Sequence, residues 1–171
     1  TEVQQYAFVE QLTALRKQVS GAGNLERFDF WLNTFRYMRE MAHLGCLRGQ
    51  LDGVMKQIEA TTDSKAQKKM VRETAIPIRI EMGQTASAMM NYLLQTVTNH
   101  SELGTIANIE QQSFYRESFL TRHDKRLVEL GGNPIPVEAH LSRDYHGPTR
   151  IIVPAKRGRL CKGEAFDLQV M

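Results

Sequence analysis

The chain has 171 residues, of which 42% are hydrophobic and 24% are charged, with a formal net charge of +3. This length and composition suffice for the core of one domain, and they exclude intrinsic disorder, collagen-like fibres and low-complexity polymers. The basic residues form no concentrated stripe, so no nucleic-acid partner is predicted, and no apolar run approaches the ~18 residues that a membrane span needs.

The N-terminal third predicts two amphipathic helices. The first extends from Val3 to about Val19, where apolar residues recur every three or four positions, and Ser20–Asn24 ends it. Asn24 is expected to cap a second, unusually long helix that continues to Ala60. That helix carries two apolar stripes: Leu25, Phe28, Leu32, Phe35, Ala42, Cys46 and Gly49, then Leu44, Leu47, Leu51, Met55 and Ile58.

Three glycines recur at every fourth position within the long helix, at Gly45, Gly49 and Gly53. Each costs roughly 1 kcal/mol relative to alanine inside a helix. The close approach of a neighbouring helix is the preferred explanation, and a ligand that presses against bare backbone is the alternative.

A third helix is predicted after a turn and cap at Thr61–Ser64. Its apolar stripe keeps its phase across Pro77, which indicates one kinked helix, with two separate helices as the alternative. A break follows at 99–101, with Ser101 as the cap. The pattern is helical again from Leu103 to Leu130 and stops at Gly131 and Gly132, with a division at Ser113 or Thr121 left open. The stripe consists of Val71, Ala75, Ile78, Met82, Ala86, Met89, Leu93 and Val97.

Beyond Gly132 the pattern changes to β. Residues 133–136 begin an extended linker, 149–153 are typical of a strand, and 165–171 alternate apolar and polar residues as a half-buried strand does. Two strands do not form a stable sheet alone, so we expect them to pair outside the fragment. The fold class is therefore mainly α: a bundle of four or five long helices over 1–132, then a linker and β strands over 133–171.

Four stretches together resemble a known family: NLERFDFWLNTFRYMR (24–39), GTIANIEQ (104–111), RIIVP (150–154) and KGE (162–164). They are similar to the C-terminal helical region of large secreted bacterial glycoside hydrolases of the agarase type. In such proteins a catalytic barrel precedes the helical region and a short β segment closes the chain. Where those relatives tend to have Tyr, this chain has Phe30, which lacks the hydroxyl.

The resemblance implies an accessory C-terminal domain of a secreted or periplasmic polysaccharide-degrading enzyme. Such a domain would buttress the catalytic barrel and add substrate contacts or a subunit interface. The expected partners are the rest of the parent polypeptide, with its barrel and β domain, the polysaccharide, and a second copy of the chain. The catalytic carboxylate pair is expected outside these 171 residues, and no cofactor is expected. The alternative is a non-enzymatic helical protein-interaction module that binds through its glycine and methionine stripes.

Three residues of the long helix are candidates for a sugar-binding wall: Trp31, Asn33 and Arg39. An indole stacks on sugar rings, and amide and guanidinium groups donate to hydroxyls. On a helical wheel Arg39 falls between apolar residues, so it needs a partner. The competing interpretation is an internal ion pair and a core tryptophan.

Asn108 and Glu110 are further candidates for binding hydroxyl groups, against the simpler interpretation that they are polar residues of a helix surface. His43 and Cys46 are spaced to share a metal, but no ligand cluster accompanies them, so no metal site is predicted. Whether Cys46 and Cys161 pair stays open.

Overall fold

The computed structural model describes residues 2–98, 100–111 and 119–131, and these form helices with no strand among them. The prediction of a mainly α bundle is confirmed for this part of the chain. The predicted linker and β strands over 133–171, Ser113 and Cys161 lie outside the described residues.

The periodicity predicts one helix in the N-terminal region, but the structure shows three short pieces. These are α1 (Glu2–Gln5), α2 (Phe8–Leu15) and a 3₁₀ turn (Arg16–Gln18). The residue that α2 buries fully is Val9, while Leu15 of the predicted stripe stays 46% exposed. The chain leaves helical geometry at Val19, which is extended, and at Gly21, so that α2 packs back along the long helix that follows.

That long helix, α3, comprises Ala22–Ala60, and at 1.5 Å per residue its 39 residues extend about 58 Å. Asn24 is not its N-cap, so that prediction is wrong. Gly21 occupies the cap position with φ +86°, a conformation that only glycine adopts without strain. Asn24 lies inside the first turn, where its Nδ2 donates to the backbone oxygen of Ser20 at 3.1 Å.

The helical path continues through Pro77. Helix α4 (Ser64–Met70) passes into a π-helical turn (Val71–Ala75) and then into α5 (Ile76–Gln95). Pro77 lies in the first turn of α5, where its missing N–H falls next to the wider turn. The helical path is thus unbroken across Pro77, as predicted, and a π-helical turn precedes the proline. Asp63 caps α4, accepting from the backbone N–H groups of Lys65 and Ala66 at 3.0 and 3.3 Å.

The core forms where the C-terminal half of α3 packs along α5. All five residues of the second predicted stripe of α3 are at most 2% exposed. They meet the predicted stripe of α5, in which Met82 and Ala86 are equally buried. Met55, Met82, Met89 and Met90 thus fill the core.

Two short helices close one side of the core: α6 (His100–Gln111) and α7 (Asp124–Gly131). The turn at 121–123 divides them, in agreement with the division proposed at Thr121. Arg79 on α5 is 1% exposed and donates to both carboxylate oxygens of Asp124, at 2.7 and 3.0 Å. This bidentate pair fixes the start of α7 on α5.

Among the described residues, no helix is both long enough and apolar enough to cross a bilayer.

Candidate binding face on the long helix

A polar sector of α3 holds α2 in place. Arg16, just after α2, donates to both carboxylate oxygens of Asp29, with the shorter bond at 2.5 Å. About two turns further along α3, Arg36 Nη2 donates to Thr13 Oγ1 of α2 at 3.1 Å. The sequence places Asp29 and Arg36 in one narrow polar sector, and the structure shows that this sector is where α2 packs.

Arg39 belongs to the same contact. Its Nη1 lies 2.8 Å from Glu10 Oε1 on α2, and its Nη2 lies 2.9 Å from Glu40 Oε1. Partial burial lowers the pKa of Arg39, but the hydrogen bonds and charges of Glu40 and Glu10 outweigh burial, so the pKa is raised. The guanidinium is therefore occupied by carboxylates, but the ion pair is not the internal one considered from the sequence, since the Glu10 side chain is 73% exposed.

Trp31, by contrast, is no core tryptophan: it is 58% exposed. It lies in a row of aromatic rings along the N-terminal half of α3. Its ring centroid is 5.4 Å from that of Phe30, edge to face, and 6.2 Å from that of Phe35, in a stacked arrangement. Phe8 of α2 extends the row with an edge-to-face contact to Phe35 at 5.2 Å. Such contacts hold the indole while its outer face stays open to solvent.

An open groove of about 470 Å³ lies beside the indole. Its walls are mostly apolar, and its polar groups come from Asn24 and Arg27. Arg27 Nη2 donates to Asn24 Oδ1 at 3.0 Å, which holds the guanidinium at the rim. The lining residues are Leu12, Val19, Asn24, Arg27, Phe28, Trp31, Leu32 and Phe35.

The glycines at Gly45, Gly49 and Gly53 of α3 contact no neighbouring helix among the described residues. A Cβ added to Gly45, Gly49 or Gly53 would meet no atom of the described residues within 4 Å. The preferred prediction, close approach of a helix within this chain, is therefore wrong for the part of the chain that the structure describes. The glycines expose bare helix backbone instead.

The exposed tryptophan and the glycines belong to one face. At 100° per residue, Met38, Ala42, Gly45, Gly49 and Gly53 all fall within about 40° of Trp31. Met38 is itself 37% exposed. The core residues of α3, from Leu44 to Ile58, centre on the opposite side. We call the side that comprises Trp31, Met38, Ala42, Gly45, Gly49 and Gly53 the bare face.

The structure does not bring the predicted sugar-binding residues together. Asn33 is 5% exposed and lies about 200° around the helix from Trp31, where Arg36 donates to its Oδ1 at 3.4 Å. Asn108 is exposed on α6, and the side chain of Glu110 lies outside the described set. The role of these residues in binding stays a prediction. Arg27, which sequence reasoning missed, lies one turn before Trp31, and that spacing is the signal that would have found it.

A second polar cluster joins α3 to the turn before α7. His123 Nε2 lies 2.6 Å from Asp52 Oδ1, and Arg48 lies 3.8 Å from the same carboxylate. Burial raises the pKa of Asp52, but the hydrogen bond and charge of His123, with Arg48 and Arg122, outweigh it and lower the pKa. Arg48 also covers the Phe119 ring at 4.4 Å. Because Asp52 lies on α3 and His123 lies in the turn before α7, the cluster holds that turn against α3.

Within the described ranges, no three His, Cys, Asp or Glu side chains come together in a way that would hold a metal ion. His43, one of the two residues considered for a metal, lies 3.2 Å from Glu81.

Comparison of the chain with protein-family models, with curated proteins and with solved structures finds no match.

Proposed function

We propose that the chain is a non-catalytic helical accessory domain that binds another macromolecule through the bare face of α3. The observation that carries this proposal is the exposure of Trp31, at 58%, on a face opposite the core. Exposed large apolar side chains that share one face with uncovered backbone are typical of interaction sites. Large aromatic residues also contribute a disproportionate share of binding energy at interfaces.

We further propose that the parent is a secreted bacterial glycoside hydrolase of the agarase type, in which the domain buttresses the catalytic barrel. The support for this step is the resemblance of the stretches 24–39, 104–111, 150–154 and 162–164. The first stretch lies wholly within α3 and contains two residues of the bare face, Trp31 and Met38.

Any contact with polysaccharide is placed at Trp31 rather than at Asn33 or Arg39. The indole has an open face, and the groove beside it carries the guanidinium of Arg27 and the amide of Asn24. A flat ring with donors at its rim is a combination that binds sugar hydroxyls and the apolar faces of pyranose rings. Asn33 is buried and Arg39 is neutralised by two carboxylates, so neither is presented to a ligand.

Trp31 is the sole tryptophan in the chain, so its fluorescence is a specific reporter of this site. Agar oligosaccharides are expected to shift its emission in a saturable way, and electrophoresis in agarose should retard the protein relative to polyacrylamide. Trp31→Ala should abolish the retardation. Leu15→Ala, an equally apolar and exposed position on α2, is the matched control and should leave it unchanged. Unaltered emission and mobility would remove the polysaccharide contact from the proposal.

A second candidate function is a protein-interaction module outside any enzyme. The exposed glycines favour it, because bare backbone suits the close approach of a helix better than it suits a sugar. Insensitivity to agar oligosaccharides, together with protection of Gly45–Gly53 amides from hydrogen exchange on binding a protein, would select this candidate.

A further inference from the structure

We infer that the bare face is the contact surface of a homodimer, in which two copies of α3 pack antiparallel about a two-fold axis near Ala42. The inference rests on the proposed function, that this face binds a macromolecule, and it names a second copy of the chain as the partner.

The first argument is complementarity of size. An antiparallel pair centred on Ala42 places residue n of one helix opposite residue 84 − n of the other. Trp31 then lies opposite Gly53 of the second copy, and Phe35 lies opposite Gly49. Both are partly exposed aromatic rings of the N-terminal half, and each glycine has open space where a Cβ would stand. A two-fold interface requires such self-complementarity, because each half must fit the other half of the same surface.

The second argument is the cost of the glycines in the monomer. A Cβ fits at each of the three positions without contact, and alanine is the better helix former. Packing within the described part of the monomer therefore gives no reason for glycine at Gly45, Gly49 or Gly53. A second helix packed on this face, with its axis 8–10 Å away or less, gives such a reason, because small residues at the contact let two backbones approach.

The third argument is the absence of charge from the middle of the face. Between Phe28 and Gly53, the one charged residue within about 60° of Trp31 on the wheel is Asp52, at the margin, whereas Arg27 and Lys56 lie on this side just beyond its two ends. The Asp52 carboxylate is turned to His123 at 2.6 Å. Two copies of this face therefore meet without burying an uncompensated charge, and the core of a protein interface is depleted of charge in the same way.

The area of the face sets the strength of the dimer. From Trp31 to Gly53 the face extends about 33 Å, and a helix with its side chains is about 12 Å wide, so each copy contributes roughly 400 Å². Standard interfaces bury about 800 Å² per partner. The dimer is therefore reversible and depends on protein concentration.

Sedimentation equilibrium from about 1 to about 500 μM, a range suited to a small interface, tests this inference. The mass should rise from monomer to dimer across the range. Gly49→Gln should raise the dissociation constant at least tenfold, because the new side chain occupies the space of the partner's Phe35. Gly104→Gln is the matched control: this glycine is also exposed and helical with open space at its Cβ, but it lies on α6, and the constant should change less than twofold.

Circular dichroism should show both glutamine variants folded, since neither position is crowded. A chain that stays monomeric throughout the range overturns the inference, as does an equal effect of the two variants.

The register is tested separately by disulfide trapping in a background with Cys46→Ser and Cys161→Ser. Ala42→Cys lies next to the proposed axis and should form a covalent dimer at least tenfold faster than Ala14→Cys, an exposed position on α2. Equal rates overturn the antiparallel register.

The agarose experiment distinguishes the dimer from the polysaccharide contact. If the protein is monomeric but agarose retards it through Trp31, the proposed function stands and the dimer is excluded. If the protein dimerises but agar does not affect its mobility, the dimer stands and the polysaccharide contact is excluded.

Discussion

Removal of the carboxylate that pairs with Arg79 is expected to destabilise the bundle more than any substitution on its surface. Arg79 is 1% exposed, and its Nε and Nη2 lie 2.7 and 3.0 Å from the two oxygens of Asp124. Breaking a buried ion pair by removing one partner costs about 3 to 5 kcal/mol, since the remaining charge loses its compensation. Asp124→Ala should therefore lower the free energy of unfolding by about that amount.

For a domain of this size, the loss corresponds to a decrease of roughly 10–20 °C in Tm. Thermal and urea unfolding followed by circular dichroism measure it. Glu129→Ala is the matched control, an acidic residue of the same helix whose carboxylate lies 3.3 Å from Arg126 on the surface. An exposed pair of this kind contributes at most about 1 kcal/mol.

The double variant Arg79→Met and Asp124→Leu distinguishes a buried charge from a loss of packing. Replacement of both partners by apolar residues of similar volume is often neutral or stabilising, so the double variant should be more stable than Asp124→Ala. If Asp124→Ala cost no more than Glu129→Ala, or if the double variant were the least stable of the three, the reasoning from burial would be refuted.

Four further predictions concern stability. Gly49→Ala should raise the free energy of unfolding of the monomer by about 1 kcal/mol, because the helix gains propensity and the Cβ meets nothing. Gly131→Ala should lower it by about 1 to 3 kcal/mol, since the new Cβ would lie 2.7 Å from Val71 Cγ1, and urea midpoints should move in opposite directions. Asp63→Ala should cost about 1 kcal/mol through the lost cap, whereas Ser64→Ala should not. The pKa of Asp52 is lowered in the folded state, so the stability that its carboxylate contributes is complete above about pH 4 and is lost as pH falls through the folded pKa. Asp52→Asn should therefore flatten the acid limb of a Tm–pH profile.

The sequence predicts the C-terminal half of α3 better than the N-terminal half. Leu44, Leu47 and Leu51 lie on one stripe with polar or glycine residues around them, so a single buried face follows from the periodicity alone. In the N-terminal half, aromatic and apolar residues cover most of the circumference. Periodicity then identifies which residues share a face, but it does not show which face a neighbouring helix covers.

The start of α3 shows a different limit. Asn24 has the residue type of an N-cap, yet Gly21 reaches φ +86° three residues earlier and begins the helix there. Asn24 then bonds back to Ser20 from inside the first turn. Both residues are compatible with a cap, and the choice between them depends on how the chain leaves the 3₁₀ turn.

The sequence predicts the arrangement of the candidate residues only in part. Trp31 is open to solvent, as an indole must be before a ligand can stack on it, and its role in binding stays a prediction. Asn33 and Arg39 were grouped with it by residue type, but they lie about 200° and 80° from Trp31 around the helix. The carboxylate that occupies Arg39 comes from Glu10 on α2, a contact across 29 positions that local pattern does not encode.

The exposure of Trp31 follows from the charges of α3. Three contacts hold α2 against a sector of α3 that lies 80–160° from the indole. They are Arg16 with Asp29, Thr13 with Arg36, and Glu10 with Arg39. Helix α5 covers the opposite side of α3 through its core stripe. With both neighbours held elsewhere, neither covers the bare face, although this face carries the largest side chain of the helix. The polar pattern that holds the bundle together therefore also leaves this face open.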